Sequence, residues 1–354
     1  MAGPYVHCLV TRESLKNLYN DTSLARYRSI LNPDEAAQFF PYVCLGSVSP
    51  DFPYPALHVG INTKEDSKGW TWGDKFHKQN TGNFIDIGIR QLRGTADKTS
   101  DEFLKKTAWL MGYCAHIITD LVIHAVVYEI VGGCYETHKL EHLHSEVVQD
   151  SLLFYDVYRN PPQELIDSSF LKTIIESCKV PGPDNELLSP TPTYVFDNDI
   201  ETFWDSILSL NYADFYTDEP PDIEGWYEEY RDLANIATKV LARLAEPGMA
   251  YHVTTDIHDD ERTNCYSNVK LPDGTTGDYK NKVFNKAVNE VTTKLKDFLN
   301  GLDNGDSYAT FRNELKPWNI DKGTVDDQNP QFALWDGKTE FPFNCPGDPP
   351  LTSH

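Results

Sequence analysis

The chain has 354 residues and a formal charge of −23, with 54 acidic against 31 basic side chains. A hydrophobic share of 40% and an aromatic share of 12% suit a packed core and exclude a disordered chain. Proteins that grip nucleic acid by charge neutralise phosphates with Lys and Arg, so this acid excess argues against that class.

Phosphate-ester chemistry remains open, because bound cations can bring positive charge into an acidic protein. Taken in chain order, Pro4–Leu18 predicts a short helix, and a second polar-apolar segment follows over 24–40. Val43 to Pro55 reads VCLGSVSPDFPYP, whose prolines and glycine predict a rigid non-helical loop with Asp51 as its only charged group. Trp70–Arg93 predicts a loop and a helix. Thr99 and Glu102 offer a capping box for a long apolar helix that Gly132-Gly133 terminates. Trp109 to Gly133 is long enough to span a bilayer. However, His116, Asp120, His124 and Glu129 would be costly in hydrocarbon, so it reads as a core helix and no transmembrane segment is expected.

A further helix is predicted from Thr137 to Tyr158, ended by Asn160-Pro161-Pro162. Pro181–Pro192 reads as a connector, and helical spacing returns at Ile200–Leu210, Glu224–Leu244 and Asn281–Leu302. Within the polar stretch Tyr251–Gly277, Asp273-Gly274 suggests a β-hairpin, and the tail from Lys316 is irregular. The expectation is an all-α, multi-helix fold in one domain over 1–354. It divides into a metal-binding region over 1–160, a helical region over 161–315 and an irregular tail over 316–354. The seven cysteines are scattered without a CxxC pair, so no disulfide framework is indicated; Cys114 and Cys134 read as small buried hydrophobes. Met1–Leu15 lacks the pattern of a signal peptide, which makes a cytoplasmic location the expectation.

Chemistry concentrates on two helices. His116, Asp120 and His124 lie at i, i+4 and i+8 among Leu, Val, Ile and Ala, so they stack on one face with a drift of about 40° per step. Ionisable groups on a buried stripe are costly unless something satisfies them, and imidazole with carboxylate is ligand chemistry that suits zinc. On the next helix His138, His142, Glu146 and Asp150 repeat the spacing, with Leu140, Leu143, Val147 and Leu153 as apolar contacts. His142 and Glu146 are the better ligand pair there, His144 points away, and Asp150 reads as structural. Taken singly, His58 and His252 read as hydrogen-bonded core residues, the usual state of a buried histidine. An adjacent His-Asp pair is missing from the helical region, and Glu141-x-x-His144 occurs without the partner a di-iron bundle needs.

Together these segments resemble the zinc-dependent phospholipase C family, whose fold is shared with the S1/P1-type nucleases. The resemblance rests on His7 in GPYVHCLV, on LGS with the nearby PDF at Asp51, on WGDKFHKQNTGNF around His77, on GYCAHIITDLVIHAVV, and on HLHSEVVQD. It covers roughly residues 1–160. It implies an all-α fold that holds two to three zinc ions in a cleft. Asp51, His77, His116 and Asp120 would hold one ion, and His124, His142 and Glu146 a second. An early histidine, matched by His7, would hold a third together with the N-terminal amine. Loss of Met1 would expose Ala2, five residues ahead of His7. His58 is the rival of His77, which the flanking Trp72-Gly73-Asp74 and Thr81-Gly82 favour. His124 follows Asp120 at i+4, whereas the best-known members place this histidine six residues on.

The activity so implied is phosphoester hydrolysis by a metal-activated water, with Asp51 as the catalytic group that orients or deprotonates it. The expected substrate is a small-molecule or lipid phosphoester, with Phe52, Tyr54, Trp70 and Trp72 as cleft aromatics. The alternatives are a nuclease of the same fold, a biosynthetic enzyme on the same zinc scaffold, and a non-catalytic module whose zinc is fully coordinated by protein.

Overall fold

A computed structural model of the protein describes residues 3–54, 68–158, 170–182, 194–232, 234, 257–325, 330–336, 341–343 and 345. The fold is all-α, with two small antiparallel hairpins as its sheets among these residues. Helix α1 (Pro4–Tyr19) is followed by a 3-10 turn at Thr22–Tyr27, α2 (Phe40–Val48) and a second 3-10 turn at Ser49–Asp51. Next come α3 (Lys68–Lys78), α4 (Thr81–Gly94), the long α5 (Asp101–Val131) and α6 (Lys139–Tyr158).

The loop expected over 43–55 is therefore helical through Val48. Pro41 and Pro50 sit in the first turn of a helix and of a 3-10 turn, where the missing N–H has no intrahelical partner to lose. The loop expected at Trp70 is likewise α3, which Asn80 (φ 55°) separates from α4.

α5 runs through the core, with α2 and the helix Asn285–Asp303 as its main neighbours. It is long and apolar enough to cross a membrane, yet its apolar stretch is entirely buried within the protein. Its N-cap is Ser100, whose Oγ accepts from the Phe103 amide; Thr99 bonds Asp97 instead, so the capping box expected at Thr99 is replaced. The expected stop holds: Gly132 takes φ 73° and its amide closes on the Tyr128 carbonyl. α2 and α5 meet backbone to backbone. A Cβ on Gly112 would lie 1.9 Å from the Val43 carbonyl oxygen, and one on Gly46 would lie 2.0 Å from that of Trp109.

Further on come α7 (Phe170–Ser177), the hairpin β1–β2 (Lys179–Pro181 with Tyr194–Phe196), α8 (Asn198–Asn211) and α9 (Ala213–Asp218). The breaks expected at Asn160-Pro161-Pro162 and within 183–192 lie outside the described residues. α8 and the helix Asn285–Asp303 match the expected segments, as does β3–β4 (Val269–Lys270 with Thr276–Gly277) around Asp273-Gly274; the helix expected over 224–244 is described through 232. One cluster of buried apolar side chains extends from Tyr5 to Cys345. Cys345 forms a disulfide with Cys134, so the sequence reading of Cys134 as a free hydrophobe is corrected. The two cysteines stand 211 residues apart, a distance at which no spacing pattern betrays a pair.

Candidate metal centre

Four stretches of chain deliver side chains to one point inside the fold. α1 carries His7, the 3-10 turn after α2 carries Asp51, α3 carries His77, and α5 carries His116, Asp120 and His124. All six are almost completely buried. Asp120 is central. Its Oδ2 lies 3.1 Å from His116 Nε2 and 3.9 Å from His77 Nε2, while its Oδ1 lies 3.2 Å from His7 Nε2 and 3.4 Å from His124 Nε2. Asp51 Oδ1 lies 3.2 Å from His77 Nε2 and 3.8 Å from His116 Nε2. The rings of His7 and His116 stack with centroids 4.1 Å apart.

The ring orientations come from backbone carbonyls. Nδ1 of His77 donates to Gly73 (2.8 Å), that of His116 to Ser47 (2.9 Å) and that of His124 to Ile320 (2.7 Å). The rings of His116 and His124 then turn Nε2 toward Asp120 and that of His77 turns it toward Asp51, the arrangement by which outer partners fix the tautomer of a metal-binding histidine. The inner atoms remain unpaired: His7 Nε2, His116 Nε2, His124 Nε2 and both Asp120 oxygens have no hydrogen-bond partner of proper geometry. Orphaned buried groups of this kind are expensive, and a cation at their focus would satisfy them together. Zinc with ligands at 2.0–2.1 Å on a tetrahedron sets neighbouring ligand atoms about 3.3 Å apart, which the shorter separations match. The residues present fit zinc.

The electrostatics of His7, His124, Asp120 and Asp51 agree. Burial, with His116 alongside, lowers the pKa of His7, and burial lowers that of His124 to about 4, so both offer neutral imidazole, the ligand form. Burial opposes ionisation of Asp120, but the adjacent His124, His116 and His7 outweigh it and hold its pKa well below the usual carboxylate range. Asp51 follows the same balance: burial opposes, His116 and His77 prevail, and its pKa falls to about 2. For His77 burial acts downward, yet the contact with Asp51 raises its pKa to about 9.

The remaining expected ligands stand at the rim. Glu146 Oε1 lies 3.9 Å from His124 Nε2, and burial raises its pKa to about 7. His142 donates from Nε2 to the Gly133 carbonyl (2.8 Å), which leaves Nδ1 as its possible ligand atom. His58 lies outside the described residues. His144 does face away, 2.9 Å from Glu261, and Asp150 is structural, accepting from the Val6 amide at 2.7 Å where α1 begins. Leu140 and Val147, expected among the apolar contacts of α6, are instead exposed at 78% and 63%.

A cavity of about 280 Å³ reaches the rim of the centre at His124, His142 and Glu146. Tyr54, Trp70, Lys78 and Asp321 also face it. Lys139, a further lining residue, sets its ammonium 4.8 Å from the Trp70 ring centroid. Phe52 and Trp72, expected beside the cleft, are fully buried among aromatic neighbours. Sequence reasoning missed Lys78 and Asp321, which pair at 3.5 Å, and every orienting carbonyl. Lys78 adjoins His77 and was open to inspection; the carbonyls carry no residue-type signal.

Residues 6–189, 184 of the chain's 354, match the protein family described as zinc-dependent phospholipase C. No curated protein and no solved structure matches the chain.

Proposed function

The chain belongs to the zinc-dependent phospholipase C family, and from that premise we propose that it hydrolyses a lipid phosphodiester with two to three zinc ions at the His/Asp centre. The observation that carries this reading is the convergence of His7, Asp51, His77, His116, Asp120 and His124 beside a cavity, with the inner atoms of His7, His116, Asp120 and His124 unpaired. Asp51, His77, His116 and Asp120 would hold one ion; His124 and Glu146, with His142 through Nδ1, would hold a second, and His7 beside Asp120 would offer a third position. When bound, zinc supplies Lewis acidity toward the phosphate oxygens and a water activated for in-line attack on phosphorus.

The chain's own residues do the rest. The ionised Asp51 carboxylate accepts a hydrogen bond from the attacking water and orients it. Backbone carbonyls at Gly73, Ser47 and Ile320 keep the rings aimed. Lys78 and Lys139 bring positive charge to the cavity wall, while Tyr54 and Trp70 give it an apolar surface. A cavity that reaches the centre supports an open coordination position, which a non-catalytic module with saturated zinc lacks. The charge of −23 disfavours long polyanions, hence a lipid over a nucleic acid.

Metal analysis of the purified protein, coupled to a panel of phosphocholine and nucleotide esters, tests the proposal. Two or three zinc ions, turnover of the lipid-type ester, and loss of turnover on chelation with recovery on zinc addition are expected. A protein that binds no metal, or that is zinc-loaded and inert on every ester, overturns it.

A further inference from the structure

The C-terminal stretches 318–325, 330–336 and 341–343, with Cys345, lie beyond the residues that match the family, yet they reach three of the candidate ligands. Ile320 bridges two of them: its carbonyl accepts from His124 Nδ1 on α5 (2.7 Å), and its amide donates to the backbone carbonyl of His77 on α3 (2.7 Å). Gly323, at φ 70°, seats this turn against α5; a Cβ there would come within 2.9 Å of the Leu121 carbonyl oxygen and the Ala125 nitrogen. Trp335 Nε1 donates to the carbonyl of Val122, the residue after Leu121 on α5 (2.9 Å). The stretches are joined by backbone bonds from Val325 to Gln331, Ala333 to Gly323 and Phe341 to Pro330.

The far end reaches the third ligand. Cys345 is bonded to Cys134, and the preceding residue, Gly133, supplies the carbonyl that orients His142. Phe341 and Phe343 pack on Tyr128, whose ring in turn meets His142 edge-on with centroids 4.6 Å apart.

We propose that these C-terminal residues are a strap that anchors the backbone at His77 and sets the rings of His124 and His142, and that the Cys134–Cys345 disulfide locks it, so that metal retention depends on thiol redox state. The inference rests on the zinc reading above. Outer partners of metal-binding histidines change metal affinity by about 10–100-fold when lost. Opening the disulfide frees the tail end beside Gly133, and the loss of order passes along the strap toward Ile320. A phosphine reductant attacks one sulfur, water completes the reaction, and the products are two thiols and the phosphine oxide.

The test is the rate at which zinc passes from the loaded full-length protein to a chromophoric chelator, with helicity followed by circular dichroism. Wild type is measured oxidised, phosphine-reduced and reoxidised, beside the double variant Cys134→Ser/Cys345→Ser, which lacks the two thiols that reduction releases at the tail. Transfer at least about tenfold faster in the reduced protein and in the double variant, with unchanged helicity and recovery on reoxidation, is the expected result. Should the double variant not fold, the comparison of reduced with reoxidised wild type decides alone. Gly323→Val, which unseats the turn with the disulfide intact, is expected to accelerate transfer as well. Equal transfer rates in oxidised and reduced wild type overturn the strap alone; a wild type that holds no zinc overturns both readings.

Discussion

Asp120→Asn is the sharpest perturbation of the centre, because the Asp120 carboxylate touches ring nitrogens on both sides. Asparagine keeps the shape but removes the charge and turns one ligand oxygen into an amide nitrogen that carries hydrogens. Structural zinc sites with four ligands are worth about 10–16 kcal/mol, or roughly 3 kcal/mol per ligand. Loss of one ligand therefore weakens binding about a hundredfold. Zinc at about 1,000 times the wild-type Kd stabilises the fold by about 4.1 kcal/mol; for the variant the same concentration is about ten times Kd and gives about 1.4 kcal/mol. Denaturant unfolding of both proteins, metal-free and zinc-loaded, isolates this increment of about 2.7 kcal/mol from any change in the metal-free fold. A zinc increment in Asp120→Asn as large as in wild type would refute the assignment of Asp120 as the shared ligand.

Asp51→Asn, refilled with zinc to wild-type content, is expected to lower kcat by about a hundredfold with a smaller change in KM, measured on the ester that wild type turns over. Gly112→Ala forces α2 from α5, because its Cβ would meet the Val43 carbonyl; metal-free unfolding should show a loss of about 3 kcal/mol, with weaker zinc binding as Ser47 moves from His116. Burial raises the pKa of Asp150 from 3.8 to about 7, against the opposing hydrogen bond from the Val6 amide. The native state then holds this proton more tightly than the unfolded chain, so stability falls as pH rises from about 4 to 7. Asp150→Asn should flatten that slope and be more stable than wild type above about pH 7, by at most about 4 kcal/mol; parallel pH profiles of denaturant unfolding check it.

Which residues converge on the centre was largely legible, because several of these candidate ligands betray themselves locally. His116, Asp120 and His124 interrupt an apolar run at helical spacing, and Gly132 marks where that run stops. The same logic failed where a residue type has two uses. Prolines near Asp51 suggested a loop from Val43 on, but the helix ends at Val48 before Pro50, which stands in the first turn of the following 3-10 turn and interrupts nothing. Leu140 and Val147 suggested core and proved exposed, since periodicity shows which residues share a face and not which face is covered. Phe52 and Trp72 stand close in sequence to the cavity's aromatics yet pack inward, because Tyr54 and Trp70 lie two residues along and point to another side.

What could not be read is how the ligands are aimed. Every residue carries a carbonyl, so nothing in the side chains singles out Ser47, Gly73 or Ile320 as the acceptors that fix three rings. Gly73 lies one helical turn from His77 and Ser47 lies 69 residues before His116, while the third acceptor arrives from 196 residues beyond His124. A centre whose donors are encoded in the first 150 residues therefore depends for its geometry on the last 40. Substitutions in that tail can alter metal binding without touching a ligand, and a fragment ending at residue 189, where the family match stops, would keep every candidate ligand yet lose the acceptor of His124. Such a fragment also loses Cys345 and the helix Asn285–Asp303, a main cover of α5, so its buried stripe would meet water and its histidines would be free to turn outward.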